Sequence, residues 1–457
     1  MAITIRLVGI AFVTMGLSLG LGAQSEERAV PPPAASSVED NGLPAEEVRP
    51  DVRPLTGSLP ITLGSFGTER SFLAPSLRFS QMMDSNPNLT SGQSEAVALT
   101  NLSASALLQR IWRRSQFSLN YTGGGSIYTG HSDLNSTFHA AQLQQSFQFR
   151  RWSLTLVDNI SYTPEAAFGY PGLAGGSSNL APGTAPNQTI LTNRSSQLSN
   201  TALGQVNYNL NSRSSITVSG DFDLLRSPSG NLLPSDEGRI QLGYNRNLNS
   251  RDSLGISYGL HVIRHPNLPP TRKLDSHSVQ LAYGRRITGR LALQASGGSQ
   301  INRVDDPSLG SATQTTWTAQ SSVIYRFRRA QLQSSYAHSA GGGAGILTLS
   351  AAKTDEVSGT LATRLTRMFS ASIGAGYARN SGLQLVSGSS GSVFDTEFLR
   401  ATLERSFGHQ AAGFFKYTFQ HQSTNVPVCG LGLCGSDLSR HTAGIGLEWH
   451  MRPVLLQ

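Results

Sequence analysis

The chain has 457 residues, and its 36 lysines and arginines outnumber its 28 acidic residues, which gives a formal net charge of +8. An apolar content of 38% in regular patterns excludes a disordered chain. One apolar run, at the N-terminus, approaches the roughly 20 residues of a spanning helix, which excludes a multi-helix membrane protein. A charged fraction of 14%, 47 glycines and abundant Ser, Asn, Gln and Thr favour a large β protein over a cytosolic enzyme.

The N-terminal residues have the pattern of a targeting segment followed by a linker. Arg6 precedes an apolar stretch over 7–21, and Gly22-Ala23-Gln24 follows it. This order is typical of a cleaved signal peptide, predicted here as residues 1–23, with an uncleaved anchor as the alternative. Residues 24–72 are rich in proline and are predicted to be a periplasmic linker able to meet a periplasmic partner. Within the linker, residues 55–72 are also compatible with a short plug or a first strand.

From residue 73 onward, apolar residues alternate with small or polar ones over 10 to 15 residues at a time. In the segment 317–327, for example, Trp317, Val323 and Tyr325 share one face, and Thr318 and Gln320 share the other. Such alternation is typical of two-faced β-strands. Counting these segments predicts about 18 strands, with 16 as the alternative.

The connections between these segments alternate between short and long, and this alternation predicts the topology. Short connections include 211–213, 249–250 and 328–329, whereas the longest covers 164–194. Because lipid tolerates no unpaired sheet edge, two-faced strands joined in this way predict an all-β fold. The fold expected over residues 73–457 is a transmembrane antiparallel up-and-down β-barrel, with aromatic girdles near both ends.

With these features the chain resembles bacterial outer-membrane β-barrels of the porin type, over roughly residues 73–451. The resemblance is carried by the signal peptide and the repeated two-faced strands, not by a short motif. It implies localisation in the outer membrane of a Gram-negative-type cell, with lipid as a partner and both termini in the periplasm. A soluble β-solenoid is disfavoured because the chain lacks a fixed short period.

The face opposite the apolar one is expected to line the lumen, and it is mostly Ser, Thr, Asn, Gln and Gly. Ten charged residues also fall on it and are the candidate lumen charges: Arg78, Asp221, Asp223, Arg239, Arg364, Arg400, Glu404, Lys416, Arg440 and Glu448. One interpretation is a charged ladder that sets a transverse field and an ion preference. The other is that paired charges brace the inside of the wall.

The long connection 164–194 stands where general porins fold a loop inward to narrow the channel. It contains one acid, Glu165, and one base, Arg194, among many Gly, Ala, Pro and Ser residues. It is therefore expected to narrow a pore by steric means, or to act as an extracellular lid, without a strong charged constriction.

The cations are mostly arginines, and they recur in pairs such as Arg113-Arg114, Arg150-Arg151 and Arg328-Arg329 beside predicted tight turns. No recognition motif for nucleic acid accompanies them, so nucleic acid is not expected as a partner. A guanidinium can bind a phosphate bidentately, and a rim of arginines is expected to meet lipid phosphates.

Cys429 and Cys434 share the last long connection, and an even pair at this spacing in an oxidising compartment predicts a local disulfide. Metal binding by two thiols alone is the weaker alternative. No cofactor is expected.

The sequence favours a non-enzymatic outer-membrane channel for passive passage of small polar solutes or ions. The polar lining also suits saccharides, so an exopolysaccharide export barrel and a purely structural barrel are the alternatives. An outer-membrane hydrolase is a weaker alternative that would use the Asp221 and Asp223 pair as carboxylates. A homo-oligomer is compatible with the sequence, because lipid-facing and subunit-facing surfaces have similar compositions.

Overall fold

The computed structural model describes residues 71–89, 95–165, 196–228, 233–266, 272–306, 310–341, 352–383, 392–408, 410–425 and 437–456. All of them belong to one compact unit, Glu46–Gln457. The predicted signal peptide, almost all of the predicted linker and the predicted Cys429–Cys434 disulfide lie outside the described residues.

The described residues form eighteen long strands and one short terminal strand. In chain order they are β1 Phe72–Asp84, β2 Val97–Ile111, β3 Ser115–Tyr128, β4 Ser136–Gln148, β5 Trp152–Thr163, β6 Gln197–Asn209, β7 Ser214–Arg226, β8 Ser235–Asn247, β9 Asp252–His265, β10 Arg272–Arg286, β11 Leu291–Asp306, β12 Gly310–Arg326, β13 Ala330–Gly341, β14 Ala352–Arg364, β15 Phe369–Gly382, β16 Val393–Phe407, β17 Ala411–Thr424, β18 Asp437–His450 and β19 Val454–Leu455. The expectation of about 18 strands is confirmed, and the alternative of 16 is not.

Each long strand pairs antiparallel with the next one along the chain, and β18 returns to pair with β1. At this seam Arg78 stands opposite Glu448, and the pairing runs from Ser76 to Asp84. The short β19 pairs with Phe72 and Leu73 and continues the seam at one end. The sheet is therefore a closed antiparallel up-and-down β-barrel, as the sequence predicts.

The two ends of the barrel differ in their connections. One end carries the tight turns of three or four residues, such as 112–114, 149–151 and 210–213, together with the start of β1 and the end of β18. The other end carries the connections of more varied length, and the one between β3 and β4 includes a 3-10 helix, Ser132–Leu134. We call these the short-turn end and the long-loop end. Over the part of the chain that the structure describes, no helix is long and apolar enough to cross a membrane.

The outward face of the barrel is apolar and exposed. Ile240 and Ile445 are 62% and 66% exposed, and Leu281 and Leu447 are similarly open. Exposed aromatic side chains lie near the short-turn end: Trp112, Phe149, Trp152, Tyr208, Phe327 and Phe407. A continuous apolar face with an aromatic border is suited to lipid rather than to water.

The inward face is polar over most of its height but apolar at the long-loop end. Ile263, Leu274, Val304, Ala340 and Leu383 form one buried cluster there. A second cluster joins residues of the first three strands and the 3-10 helix: Met82, Val97, Leu99, Tyr128 and Leu134. These buried apolar side chains gather inside the barrel at the long-loop end, a feature that the alternation of the sequence did not reveal.

The end of β13 takes part in the first cluster through Ala340. The side-chain Nε2 of Gln300 donates to the backbone carbonyl of Ala340 at 2.9 Å, and the backbone N–H of Ala340 donates to the side-chain Oε1 of Gln300 at 3.3 Å. Gln300 belongs to β11, whereas Ala340 belongs to β13, so the end of β13 leans across the intervening strand.

The outward apolar face predicts the effect of a charge in the middle of a strand. Ile240→Arg on β8 is expected to lower the free energy of unfolding in lipid vesicles by about 2–4 kcal/mol, the cost of Arg at a lipid-facing midplane. The neighbouring change Gln241→Arg places the same charge on the inward face, and its expected cost is under about 1 kcal/mol. Urea titration followed by electrophoretic mobility measures both values. Equal costs would contradict the assigned faces.

Candidate functional site

The ten candidate lumen charges all fall on the inward register of their strands. Arg78 lies between outward Leu77 and Phe79, and Lys416 lies next to outward Phe415. The pairing brings nine of the ten into three groups: one at the mouth, one on β7–β9, and one on β16–β18 and β1. The tenth, Arg364, lies exposed at the short-turn end of β14, apart from the others.

The mouth group is built around Arg440, which is 1% exposed. Its Nε lies 3.0 and 3.1 Å from the two carboxylate oxygens of Asp84, and its Nη1 lies 2.8 Å from Oε1 of Glu165. The Tyr128 hydroxyl donates to Asp84 at 3.3 Å. One guanidinium thus holds two buried carboxylates, which is the pairing that such charges require away from water.

The contact between Arg440 and Glu165 ties distant parts of the wall together. Glu165 follows β5, whereas Arg440 lies on β18, five strands away around the sheet. The Thr163 hydroxyl donates to the Glu165 carbonyl at 2.7 Å, which fixes the turn that leaves β5. The first residues of the long connection 164–194 therefore turn inward at the mouth. The remainder of that connection lies outside the described residues.

The second group is an acidic cluster on β7, β8 and β9. Asp221 stands opposite Arg239, and Asp223 stands opposite Glu237. The Arg239 guanidinium lies 3.1 Å from Glu237 and 3.8 Å from each of the two aspartates. His261 Nε2 lies 3.2 Å from the same Glu237 oxygen. Three carboxylates share one arginine, so with a neutral histidine the acidic cluster carries a net charge of −2.

The third group is a basic cluster on β16, β17, β18 and β1. Arg78 lies 3.5 Å from Glu448, and its guanidinium carbon lies 3.7 Å from the ring centre of Phe414. Lys416 on β17 is buried opposite Thr402, and Arg400 on β16 stands opposite Thr418. With Glu404 beside Phe414, three cations and two carboxylates give the basic cluster a net charge of +1.

The acidic and basic clusters stand on opposite walls of the barrel. They are centred on β8 and β17, which are nine strands apart in a closed ring of eighteen. Asp221 is seven residues from the short-turn end of β7, and Arg400 is seven residues from the same end of β16. The two clusters therefore lie at comparable heights, with opposite net charges.

Each cluster also has a buried polar atom without a hydrogen bond in the described part of the chain. On the acidic wall it is Oδ2 of Asp221, and on the basic wall it is Nε of Arg400. Both atoms are closed off from solvent, and Oδ2 of Asp221 lies 3.8 Å from Nε of Arg239, so it has an ion-pair partner rather than a hydrogen bond.

Five groups in these clusters were missed at the level of sequence: Asp84, Glu165, Glu237, His261 and Tyr128. Asp84 is an even number of residues from Arg78 on β1, and Glu237 is an even number from Arg239 on β8. The two-residue alternation of a strand could therefore have assigned both acids to the inward face. The role of Glu165 depends on a contact between β5 and β18, which no local pattern contains. Glu356 also faces inward, half-buried on β14, and only its position in the alternation of the strand marks it in the sequence.

A serine, a histidine and an aspartate, the residue types of a hydrolase, lie close together on the outward face near the long-loop end. His421 Nδ1 lies 2.9 Å from the Ser439 hydroxyl, and Asp437 approaches the same nitrogen at 3.8 Å. In a catalytic triad the carboxylate contacts one histidine nitrogen and the nucleophile contacts the other. Here Ser439 and Asp437 both approach Nδ1 of His421, so this arrangement does not activate the serine. Asp221 and Asp223, the other carboxylates of that alternative, are ion-paired to Arg239 instead.

No group of His, Cys, Asp and Glu suited to holding a metal occurs within the described ranges.

Comparison with known proteins gives structural likeness only. No protein-family model and no curated protein matches the chain. Among solved structures it is similar to the outer membrane protein OpdK from Pseudomonas aeruginosa, with 9% identity and a TM-score of 0.41 over 83% of this chain and 99% of that one. It is also similar to the siderophore receptor PiuA from Acinetobacter baumannii, with 10% identity and a TM-score of 0.42 over 84% and 82% of the two chains. The fold described above rests on the strand pairing of this chain itself.

The burial of Arg440 predicts a large effect on stability. Arg440→Met leaves Asp84 and Glu165 buried without their cation, so the free energy of unfolding is expected to fall by about 3–5 kcal/mol. Adding Asp84→Asn and Glu165→Gln to Arg440→Met removes the orphaned charges and is expected to restore part of the loss. Arg364→Met, at the exposed rim, is the control and is expected to change stability by under about 0.5 kcal/mol. Urea unfolding of the four proteins tests this, and equal effects of the two arginine changes would contradict the network.

Proposed function

We propose that the chain is an outer-membrane channel for passive passage of small polar solutes or ions. The observation that carries this proposal is the pair of opposed charged clusters on the inner wall. An inner face of Ser, Thr, Asn, Gln and paired charges is compatible with water, whereas the outer face is not. A barrel with that arrangement supplies a polar path through lipid.

Localisation and orientation follow from the same arrangement together with the N-terminal pattern. The exposed apolar band fits a bilayer, and the predicted signal peptide would deliver the chain across the inner membrane. The short-turn end, where β1 begins and β18 ends, is proposed to face the periplasm. The predicted linker, 24–72, would then be available there to a periplasmic partner.

The opposed clusters would act on a solute through the electric field between them. Three carboxylates around Arg239 face a wall with Arg78, Arg400 and Lys416, and this separation of charge sets a field across the lumen. Such a field orients dipolar solutes and separates the paths of cations and anions.

The mouth group would set the entrance to this path. Arg440 ties the first residues of the connection that follows β5 to β18, five strands away around the wall, and the apolar clusters lie at the same end. The channel is therefore expected to admit small solutes and to exclude folded proteins or large polymers.

Single-channel conductance of the refolded chain in planar bilayers tests the proposal. Steady, ohmic current steps are expected in potassium chloride. Silence from a barrel shown to be folded by its electrophoretic mobility would overturn passive passage, and would instead support an export barrel or a structural protein.

The acidic cluster predicts a change in ion preference. Asp221→Asn together with Asp223→Asn is expected to lower the cation-to-anion permeability ratio about twofold or more, because local ion concentrations follow the local field. Asp236→Asn is the matched control, since Asp236 lies on β8 but faces outward and pairs with Arg226. Reversal potentials in a salt gradient measure the ratio. An unchanged ratio in the double variant would contradict a field set by this cluster.

A further inference from the structure

The short-turn end of the barrel is densely lined with arginine. Six of the eight tight turns from β2–β3 to β16–β17 end in arginine: Arg114, Arg151, Arg213, Arg251, Arg290 and Arg329. The carbonyl of each of these six arginines accepts a backbone hydrogen bond from the end of the hairpin that follows, at 2.7 to 2.9 Å. This repeated bond places the six arginines at one level around the rim.

At one place on this rim the arginines border an open cavity of about 640 Å³. Arg114 contributes from the turn between β2 and β3, and Arg150 and Arg151 contribute from the turn between β4 and β5. All three are exposed, and none has an ion-pair partner within the described part of the chain. No acidic residue occurs in 110–117, 145–155 or 205–214, the segments that surround the cavity.

The other walls of the cavity are aromatic and face outward. Phe149 and Trp152 stack with ring centres 3.9 Å apart and an interplanar angle of 18°. Trp152 stands opposite Tyr208 on β6, and each of the three aromatic side chains is 39% or 40% exposed. Just beyond them along the strands, Val206 and Leu156 begin the apolar band. The cavity therefore joins three cations to an aromatic border and then to a lipid-facing surface.

We propose that this cavity binds the phosphate headgroup of an anionic phospholipid in the leaflet at the short-turn end. Three guanidinium groups match a phosphodiester in charge and in hydrogen-bond geometry. Tryptophan and tyrosine side chains are suited to the headgroup level of a bilayer. The acyl chains would continue along the apolar band. The inference rests on the proposed membrane location but not on conductance.

The chain contains a matched control for this site. The turn Phe327-Arg328-Arg329 repeats the sequence Phe149-Arg150-Arg151, and both turns close with the phenylalanine N–H donating to the carbonyl three residues on. At that third position the control turn has Ala330 in place of Trp152. The control turn therefore has the same two arginines at the same rim but no stacked phenylalanine and tryptophan, since Phe327 instead makes an edge contact with Tyr325, with ring centres 4.3 Å apart.

Native mass spectrometry of the refolded, delipidated chain in a neutral detergent tests the site, with short-chain phosphatidylglycerol as the probe. The wild type and Arg328→Gln/Arg329→Gln are expected to retain one tightly bound lipid. Arg150→Gln/Arg151→Gln is expected to weaken binding about tenfold or more, because each arginine contributes to the attraction for an anionic headgroup. Phosphatidylcholine is expected to bind more weakly, and inorganic phosphate is expected not to compete.

Three outcomes would overturn the inference: equal weakening in both arginine pairs, equal binding of phosphatidylcholine, or full competition by inorganic phosphate. Equal weakening in both arginine pairs would mean that lipid binding depends on the overall charge of the rim and not on this cavity. Electrophoretic mobility shows that each variant is folded. If the wild type conducts in bilayers yet binds no phosphatidylglycerol, the lipid site fails while the channel stands.

Discussion

Pairing of every backbone N–H and C=O group is the constraint on which the whole structure depends. In lipid an unpaired group has no water to bond with, so a sheet can cross only if it has no free edge. Here the closure is made by β1 and β18, whose registered pairing from Ser76 to Asp84 joins the first long strand to the last. The short β19 continues the seam at one end. Once the ring is closed, every strand has one face toward lipid and one toward the lumen.

Closure also decides which charges meet. The seam brings Arg78 opposite Glu448 and places Asp84 within reach of Arg440, although these partners are more than 350 residues apart in sequence. In a ring of eighteen strands, β8 and β17 lie on opposite walls. The acidic cluster centred on β8 therefore faces the basic cluster centred on β17. Arg440 braces the wall at the mouth, whereas the acidic and basic clusters place opposite net charges on the two sides of the barrel.

Much of this fold could be predicted from the sequence because a two-residue period is a local property. The alternation in 317–327 assigned Trp317 and Val323 to one face, and the turn spacing gave the strand count. The inward apolar clusters could not be predicted in this way. Ile263 and Leu274 occupy positions where the parity of the strand predicts polar residues, and only contacts with Val304 and Leu383 explain them. The bond between Arg440 and Glu165 was hidden for the same reason, since it depends on how a connection turns after β5.

The central claim is that the two faces of each strand meet different media, lipid outside and water inside. Single cysteines carrying an environment-sensitive dye measure this directly, after Cys429 and Cys434 are replaced by serine. Leu281→Cys faces outward on β10, and Gln280→Cys is its inward neighbour. The account predicts that a lipid-borne quencher acts on the dye at position 281, and that a water-soluble quencher acts at position 280. Quenching of both positions by the same agent to the same extent would contradict it.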